Sequence, residues 1–199
     1  MQKHLILFAR VPRLGDGKKR LARDIGVVAA VRFERAMIAR LLRRLGGDRR
    51  WRLSLAVTPE REMPRARRWR HGAAVIPQGA GDLGRRMRRA LSAPPPGPVV
   101  LVGADIPALE ARHIAAAFRL LGRHDLVFGP AADGGFWLVG VRRRPRLPPL
   151  FAAVRWSTHY ALADTIAGLP RGVSVGFVET LEDVDDGAAY RRLRNRLTL

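Results

Sequence analysis

The chain has 199 residues, 47% of them hydrophobic and 27% charged, a globular composition long enough for one sizeable core and short for two. It contains no cysteine, which excludes disulfides, thiolate catalysis and cysteine-ligated zinc or iron–sulfur sites. Of 37 basic residues only Lys3, Lys18 and Lys19 are lysines, so the net charge of +20 comes from 34 arginines spread along the chain, a texture that reads as solvated faces and argues against a dedicated nucleic-acid surface.

His4 to Ala9 reads as a first buried strand, too short for a signal-peptide core. No run approaches the roughly 18 apolar residues of a membrane span, so the expectation is a soluble cytoplasmic protein. The polar, glycine-bearing and basic stretch Arg10 to Arg23 reads as a loop. From Val27 to Leu45 the apolar residues fall at helical spacing and Gly46-Gly47 ends the helix. Leu53, Leu55 and Val57 alternate as a second strand. A short basic helix around Pro64 to Arg70 follows, then a strand at Ala73 to Ile76. The turn Gln78 to Asp82 opens a helix over Leu83 to Leu91, and the proline-rich segment Ala93 to Pro98 is a loop.

Val99 to Pro107, Val-Val-Leu-Val-Gly-Ala-Asp-Ile-Pro, is the stretch around which the rest is organised. Its β-branched run predicts a strand buried on both faces whose carboxyl end delivers Asp105 into a loop. In open α/β sheets ligands bind beyond the carboxyl ends of the strands. Asp105 is therefore either a ligand-binding carboxylate or the cap of the helix that begins near Leu109. An amphipathic helix to Leu121, a strand over Asp125 to Phe128, a turn at Ala131 to Gly135 and a strand over Phe136 to Val141 come next. Arg142 to Pro149 is an exposed basic connection. Trp156-Ser157-Thr158 precedes a helix to Ala167, Val173 to Val178 alternates as a late strand, and Gly187 to Arg196 closes the chain as a helix. Strands alternating with helices predict one domain over residues 1–199, a three-layer αβα arrangement around a mostly parallel, mixed sheet.

Three places carry possible chemistry. Gly15-Asp16-Gly17-Lys18-Lys19-Arg20 joins two glycines to three cations after strand one, the makings of a phosphate cradle, although its spacing is not that of a Walker loop. Gln78-Gly79-Ala80-Gly81-Asp82-Leu83-Gly84 is either a plain turn capped by Asp82 or a base-binding turn, with the Gln78 amide reading a nucleobase edge and Gly84 letting the base lie against the backbone. Glu182-Asp183-Val184-Asp185-Asp186 stands out in so basic a chain. Asp105 and Asp185, each just past a strand, could share a hard divalent cation, while Asp186 suits the first turn of the last helix.

These pieces, in this order, resemble the DUF2064 family, glycosyltransferase-like bacterial proteins with the nucleotide-diphospho-sugar transferase fold (GT-A, Rossmann-like). Phe8-Ala9-Arg10 through Pro12, Gly15, Lys18, Arg20 and Leu21 is similar to the family's opening F-A-K-x-P-x-P-G-x-x-K-T-R-L, with Leu14 in place of a proline and Lys19 in place of the threonine. The Gln78 turn, Gly103 to Pro107, Gly129 to Phe136, Trp156 to Thr158 and Asp183 to Asp185 are similar to Q-G-x-G-D-L-G, G-x-D-x-P, G-P-A-x-D-G-G-Y, W-S-T and D-V-D. The resemblance implies Mg²⁺ or Mn²⁺ on Asp105 and Asp185. It implies phosphates held by Gly15, Lys18 and Arg20, a base met by Gln78, Gly79 and Gly84, and an acceptor side shaped by Asp133 to Gly135 and Trp156 to Thr158. The expected function is a metal-dependent transferase with a nucleoside triphosphate or nucleotide-sugar donor and a small-molecule acceptor. Glycosyl transfer, with Asp133 as base, and nucleotidyl transfer of the guanylyltransferase kind to a phosphorylated small molecule both fit. A non-catalytic nucleic-acid-binding protein is the reading outside the enzymes.

Overall fold

The computed structural model describes residues 1–69, 71–143 and 147–193. Arg70 at the end of the expected second helix, part of the Arg142 to Pro149 connection, and the last turn of the expected terminal helix lie outside the described residues.

Seven strands form one sheet in the order β3-β2-β1-β4-β6-β5-β7. β1 (His4–Arg10) pairs in parallel with β2 (Arg52–Thr58) and β4 (Val99–Gly103), and β2 pairs with β3 (Ala74–Pro77). β6 (Phe136–Val141) runs antiparallel between β4 and β5 (Leu126–Pro130), and β7 (Val175–Phe177) closes the edge parallel to β5. The sheet is thus mixed and mostly parallel, as the alternation of strands and helices predicts.

Burial follows from the pleat. Leu5 and Leu7 of β1, with Val100 and Val102 of β4, belong to the core on one side, while Ile6, Val99 and Leu101 belong to the core on the other. The first side is covered by α1 (Lys19–Ile25), α2 (Val27–Gly46), the short α3 (Met63–Ala66), α5 (Ala111–Leu120) and α7 (Gly187–Leu193). The second is covered by α4 (Leu83–Ser92) and α6 (Ala161–Ala167). Leu41, Leu42 and Leu45 of α2 are wholly buried, which removes most of the apolar stripe of this arginine-rich helix from water.

Two local expectations are corrected. The stretch expected to be loop as far as Arg23 turns helical at Lys19, because Leu21 reaches the core while Lys18 takes the position before the first turn. Asp105 does not cap the following helix. That task falls to Glu110, which exchanges side-chain and backbone hydrogen bonds with His113 in a capping box.

β1 lies between β2 and β4, so the chain leaves it in opposite directions across the sheet. At such a switch point the loops beyond the strand ends diverge and leave a crevice. The loop after β1 and the Asp105 loop after β4 border that crevice.

Candidate active site

Asp105 is positioned by its own strand end. A Cβ on Gly103 would lie 2.9 Å from Asp105 Oδ1, so only glycine lets the carboxylate fold back over the end of β4. The Asp105 carbonyl accepts the Val184 N–H at 3.1 Å, which draws the segment after β7 across the end of β4. Val184 is buried, and residues i and i+2 of an extended segment share a side, so Asp183 and Asp185 both join Asp105. One carboxylate oxygen from each of the three lies within 4.8 Å of the others.

Lys18 stands among them. Its Nζ donates to Asp105 Oδ2 at 2.6 Å and to Asp185 Oδ1, and Arg20 reaches Asp185 Oδ2 at 2.5 Å from the solvent side. The Lys18 side chain is 15% exposed. Burial opposes its charge, but Asp105 and then Asp185 outweigh burial and hold the ammonium above the ordinary lysine range. Asp185 is also buried enough to be pushed up, but Lys18 and Arg20 prevail and hold it low. Asp183 has no such partner. Burial, then the charges of Asp105 and Asp185, push its carboxyl up to about 7.

Three carboxylates thus face one buried ammonium, an all-oxygen set with more negative charge than Lys18 neutralises. The residues fit a hard divalent cation, and Lys18 Nζ stands in for one between Asp105 and Asp185. Asp183 is absent from the candidate ligands read from the sequence, although its i, i+2 spacing with Asp185 around an apolar residue was a usable signal that the two share a side.

Two cavities meet at Asp105. One, of about 380 Å³, is lined by Phe8, Arg10, Lys18, Glu34 and Trp137. The other, of about 220 Å³, is lined by Asp133, Asp183, Trp156, Ser157 and Thr158. Glu34 comes from α2 and lies against Gly17, where a Cβ would sit 2.7 Å from Glu34 Oε2. Burial pushes its carboxyl up. Asp133 is exposed, lines the smaller cavity, and accepts the Gly135 N–H on Oδ1 at 2.9 Å. Ser157 holds φ +61°, a left-handed conformation that costs a non-glycine residue energy. Gly15, at φ +75°, forms the tip of the first turn and lines a depression on the α2 side of the loop, not either cavity at Asp105.

The structure commits Gln78, Gly79 and Gly84 to the protein's own packing, and of this turn Leu83 lines the two cavities at Asp105. Gln78 is fully buried: its Nε2 donates to the Ala9 and Ala56 carbonyls at 2.9 Å each, and its Oε1 accepts from Arg86. An amide so committed has no edge left for a nucleobase. Gly79 lies beneath the Arg89 side chain, whose Nη1 donates to the Gln78 carbonyl at 2.8 Å. Gly84 is buried where a Cβ would come within 2.8 Å of Phe151 and Trp156, so it permits close packing and does not meet a ligand. The plain-turn reading of Asp82 holds, since it accepts the Arg85 N–H at 2.7 Å. Asp186 similarly opens α7 by accepting the Ala189 N–H at 2.8 Å.

Among proteins of known structure, the chain is similar to a provisionally named nucleotide-diphospho-sugar transferase from Desulfovibrio desulfuricans G20. The TM-score is 0.85 at 24% identity, covering 99% of this chain and 97% of that one. It is also similar to glucosyl-3-phosphoglycerate synthase from Mycobacterium tuberculosis in complex with Mn²⁺, UDP and glucosyl-3-phosphoglycerate. Here the TM-score is 0.61 at 14% identity, with coverage of 98% and 78%. At such identities the likeness establishes the fold. A curated relative, 3-phospho-D-glycerate guanylyltransferase of Phenylobacterium zucineum (strain HLK1), is 38% identical over 82 residues, which span 41% of this chain and 35% of that protein. The match therefore covers about a third of the curated relative's length. A family model described as uncharacterized protein conserved in bacteria (DUF2064) matches residues 41–158, and with that match added to the fold the chain belongs to the DUF2064 family.

Proposed function

We propose that the protein is a divalent-metal-dependent nucleotidyltransferase that takes a nucleoside triphosphate and transfers its nucleotidyl group to a small phosphorylated acceptor. The observation that carries this reading is the gathering of Asp105, Asp183 and Asp185 around Lys18 at the switch point of the sheet. A nucleic-acid surface built on arginine charge has no use for three converging carboxylates. The segment shared with a guanylyltransferase supports the donor class and a phosphorylated acceptor.

Asp105, Asp183 and Asp185 would hold Mg²⁺ or Mn²⁺, which when bound neutralises phosphate charge and polarises a phosphoryl oxygen. Lys18 and Arg20 border that position and supply positive charge as pyrophosphate leaves. The larger cavity takes the donor, the smaller one the acceptor. An acceptor phosphate oxygen bonds to the α-phosphorus as the bond to the departing pyrophosphate breaks. Such an oxygen is already anionic and needs no base. Glycosyl transfer is the second reading, favoured by the exposed Asp133 carboxylate lining the smaller cavity, where it serves as base toward an acceptor hydroxyl.

The deciding experiment follows ³¹P NMR of mixtures of each nucleoside triphosphate or a UDP- or GDP-sugar with 3-phospho-D-glycerate and Mg²⁺ or Mn²⁺. Pyrophosphate formation that requires both a triphosphate and the acceptor is expected. Release of a nucleoside diphosphate from a sugar nucleotide, with no pyrophosphate from any triphosphate, would replace this reading with glycosyl transfer.

A further inference from the structure

A further cavity, of about 600 Å³, lies between α5 and the edge strand β7, and none of its lining residues borders the two cavities at Asp105. Its volume falls in the range of small-molecule sites. Three features mark it as more than a surface dent. Arg119 lies in the last turn of α5 and Arg123 in the turn that follows it; both line the cavity, and neither has a carboxylate partner among the described residues. Phe177, on β7, leaves 51% of its surface exposed to the cavity and solvent. His113 is 97% buried in the cavity wall, yet its Nε2 has no hydrogen-bond partner among the described residues.

The protonation of His113 follows from its contacts. Nδ1 accepts the Glu110 N–H at 2.9 Å, so the proton of the neutral ring is on Nε2, and burial keeps the ring neutral by holding it below the ordinary imidazole range. Glu179 Oε2 lies 3.4 Å from that nitrogen, outside hydrogen-bonding geometry, and the nitrogen itself is shielded from solvent. A buried donor and a half-exposed acceptor thus stand side by side, between an unpartnered aromatic ring and a pair of unpaired guanidiniums.

We propose that this cavity is a second binding site, for a nucleoside monophosphate. A base stacks on Phe177 and presents a donor to the Glu179 carboxylate, while Arg119 and Arg123 hold the phosphate. The site is linked to the carboxylate cluster by covalent continuity, since Glu179 precedes Asp183 by four residues on one extended segment. It is linked by packing as well: Trp137 donates from Nε1 to the Glu179 carbonyl at 3.2 Å, stands edge-on to His113, and lines both cavities at Asp105.

The test is calorimetric titration with GMP, AMP, CMP and UMP, with inorganic phosphate and a ten-nucleotide single strand as controls, in EDTA so that the carboxylate cluster carries no metal. Wild type and Asp105→Asn should bind at least one monophosphate alike. The Arg119→Ala/Arg123→Ala double variant should raise the Kd at least about tenfold through loss of two charge-assisted contacts. Phe177→Ala should raise it about fivefold or more through loss of stacking. All three of these side chains are on the surface, so the variants should retain the wild-type Tm. Binding lost in Asp105→Asn but kept in the arginine variant would place the ligand in the cleft and overturn the proposal. So would inorganic phosphate binding as tightly as the nucleotide, or affinity for the oligonucleotide that ignores Phe177→Ala.

Discussion

The loop after β1 and the turn after β3 leave the same edge of the sheet, and both carry glycines at positive φ, Gly15 in one and Gly79 in the other. In the first, Lys18 is drawn among carboxylates whose total charge exceeds its own. In the second, every polar atom of Gln78 is matched inside the protein, by the Ala9 and Ala56 carbonyls and by Arg86. A polar group with its partners already in the fold rigidifies; a cluster with charge left over is prepared for something that arrives. The difference separates a brace from a site more sharply than glycine content or residue type does.

Substitutions on either side should behave accordingly. The largest effect belongs to Asp105→Asn, which removes a carboxylate at the centre of the cluster: metal-dependent turnover should fall by about 10²–10³-fold, measured by pyrophosphate release. Stability should fall modestly, because Lys18 loses one of its two carboxylate partners while Asp185 stays in place and Asp183 is relieved of a repelling charge. Gln78→Leu should do the reverse. It leaves two buried carbonyls and the Arg86 guanidinium without partners, a loss of about 2–4 kcal/mol in urea denaturation. Turnover per folded molecule should stay within a few-fold of wild type. If Gln78→Leu instead abolishes turnover in folded protein, the brace is part of the site and the comparison breaks.

Asp183→Asn sharpens the comparison through pH. The folded carboxyl, pushed up to about 7, lies above its value in the unfolded chain, so wild-type stability should fall as pH rises from about 4 through 7. Below that window both states are protonated and the variant gains nothing. Above it the variant should be more stable than wild type by about 1–2 kcal/mol in the absence of metal, after allowance for solvent screening, while binding Mn²⁺ more weakly. Thermal melts at pH 4 and pH 8 in EDTA check the sign. The smallest effect is expected for Arg20→Ala. Its guanidinium is 65% exposed and screened, so stability should change by less than about 1 kcal/mol, with any loss appearing in the KM for the triphosphate.

Much of this architecture is legible in the amino-acid order. The β-branched run ending in Gly103-Ala104-Asp105 announces a buried strand delivering a carboxylate, and both the parallel sheet and the pairing of Asp105 with Asp185 follow from strand-end logic. What stays hidden depends on side chains meeting across the fold. Nothing local to Gln78 shows that Arg86 returns to it from the next helix, or that two strand-end carbonyls await its amide. The helix from Lys19 is masked by its arginines, since Leu21 is its only fully buried residue. The cavity at His113 exists only because α5 and β7, more than fifty residues apart in sequence, face each other at the sheet edge.

The carboxylate cluster is the centre of the account, and thermal unfolding at about 150 mM salt tests it most directly. Wild type and Asp105→Asn are melted with GTP or another triphosphate, with and without Mn²⁺. At ligand about 100-fold above its Kd, stabilisation of roughly 2.7 kcal/mol is expected, a rise of several degrees in Tm. The rise should require metal and nucleotide together and disappear in Asp105→Asn. Equal rises with every polyanion, indifferent to Mn²⁺ and to Asp105, would mean that only the positive field of the chain is acting, and would contradict the proposed metal site.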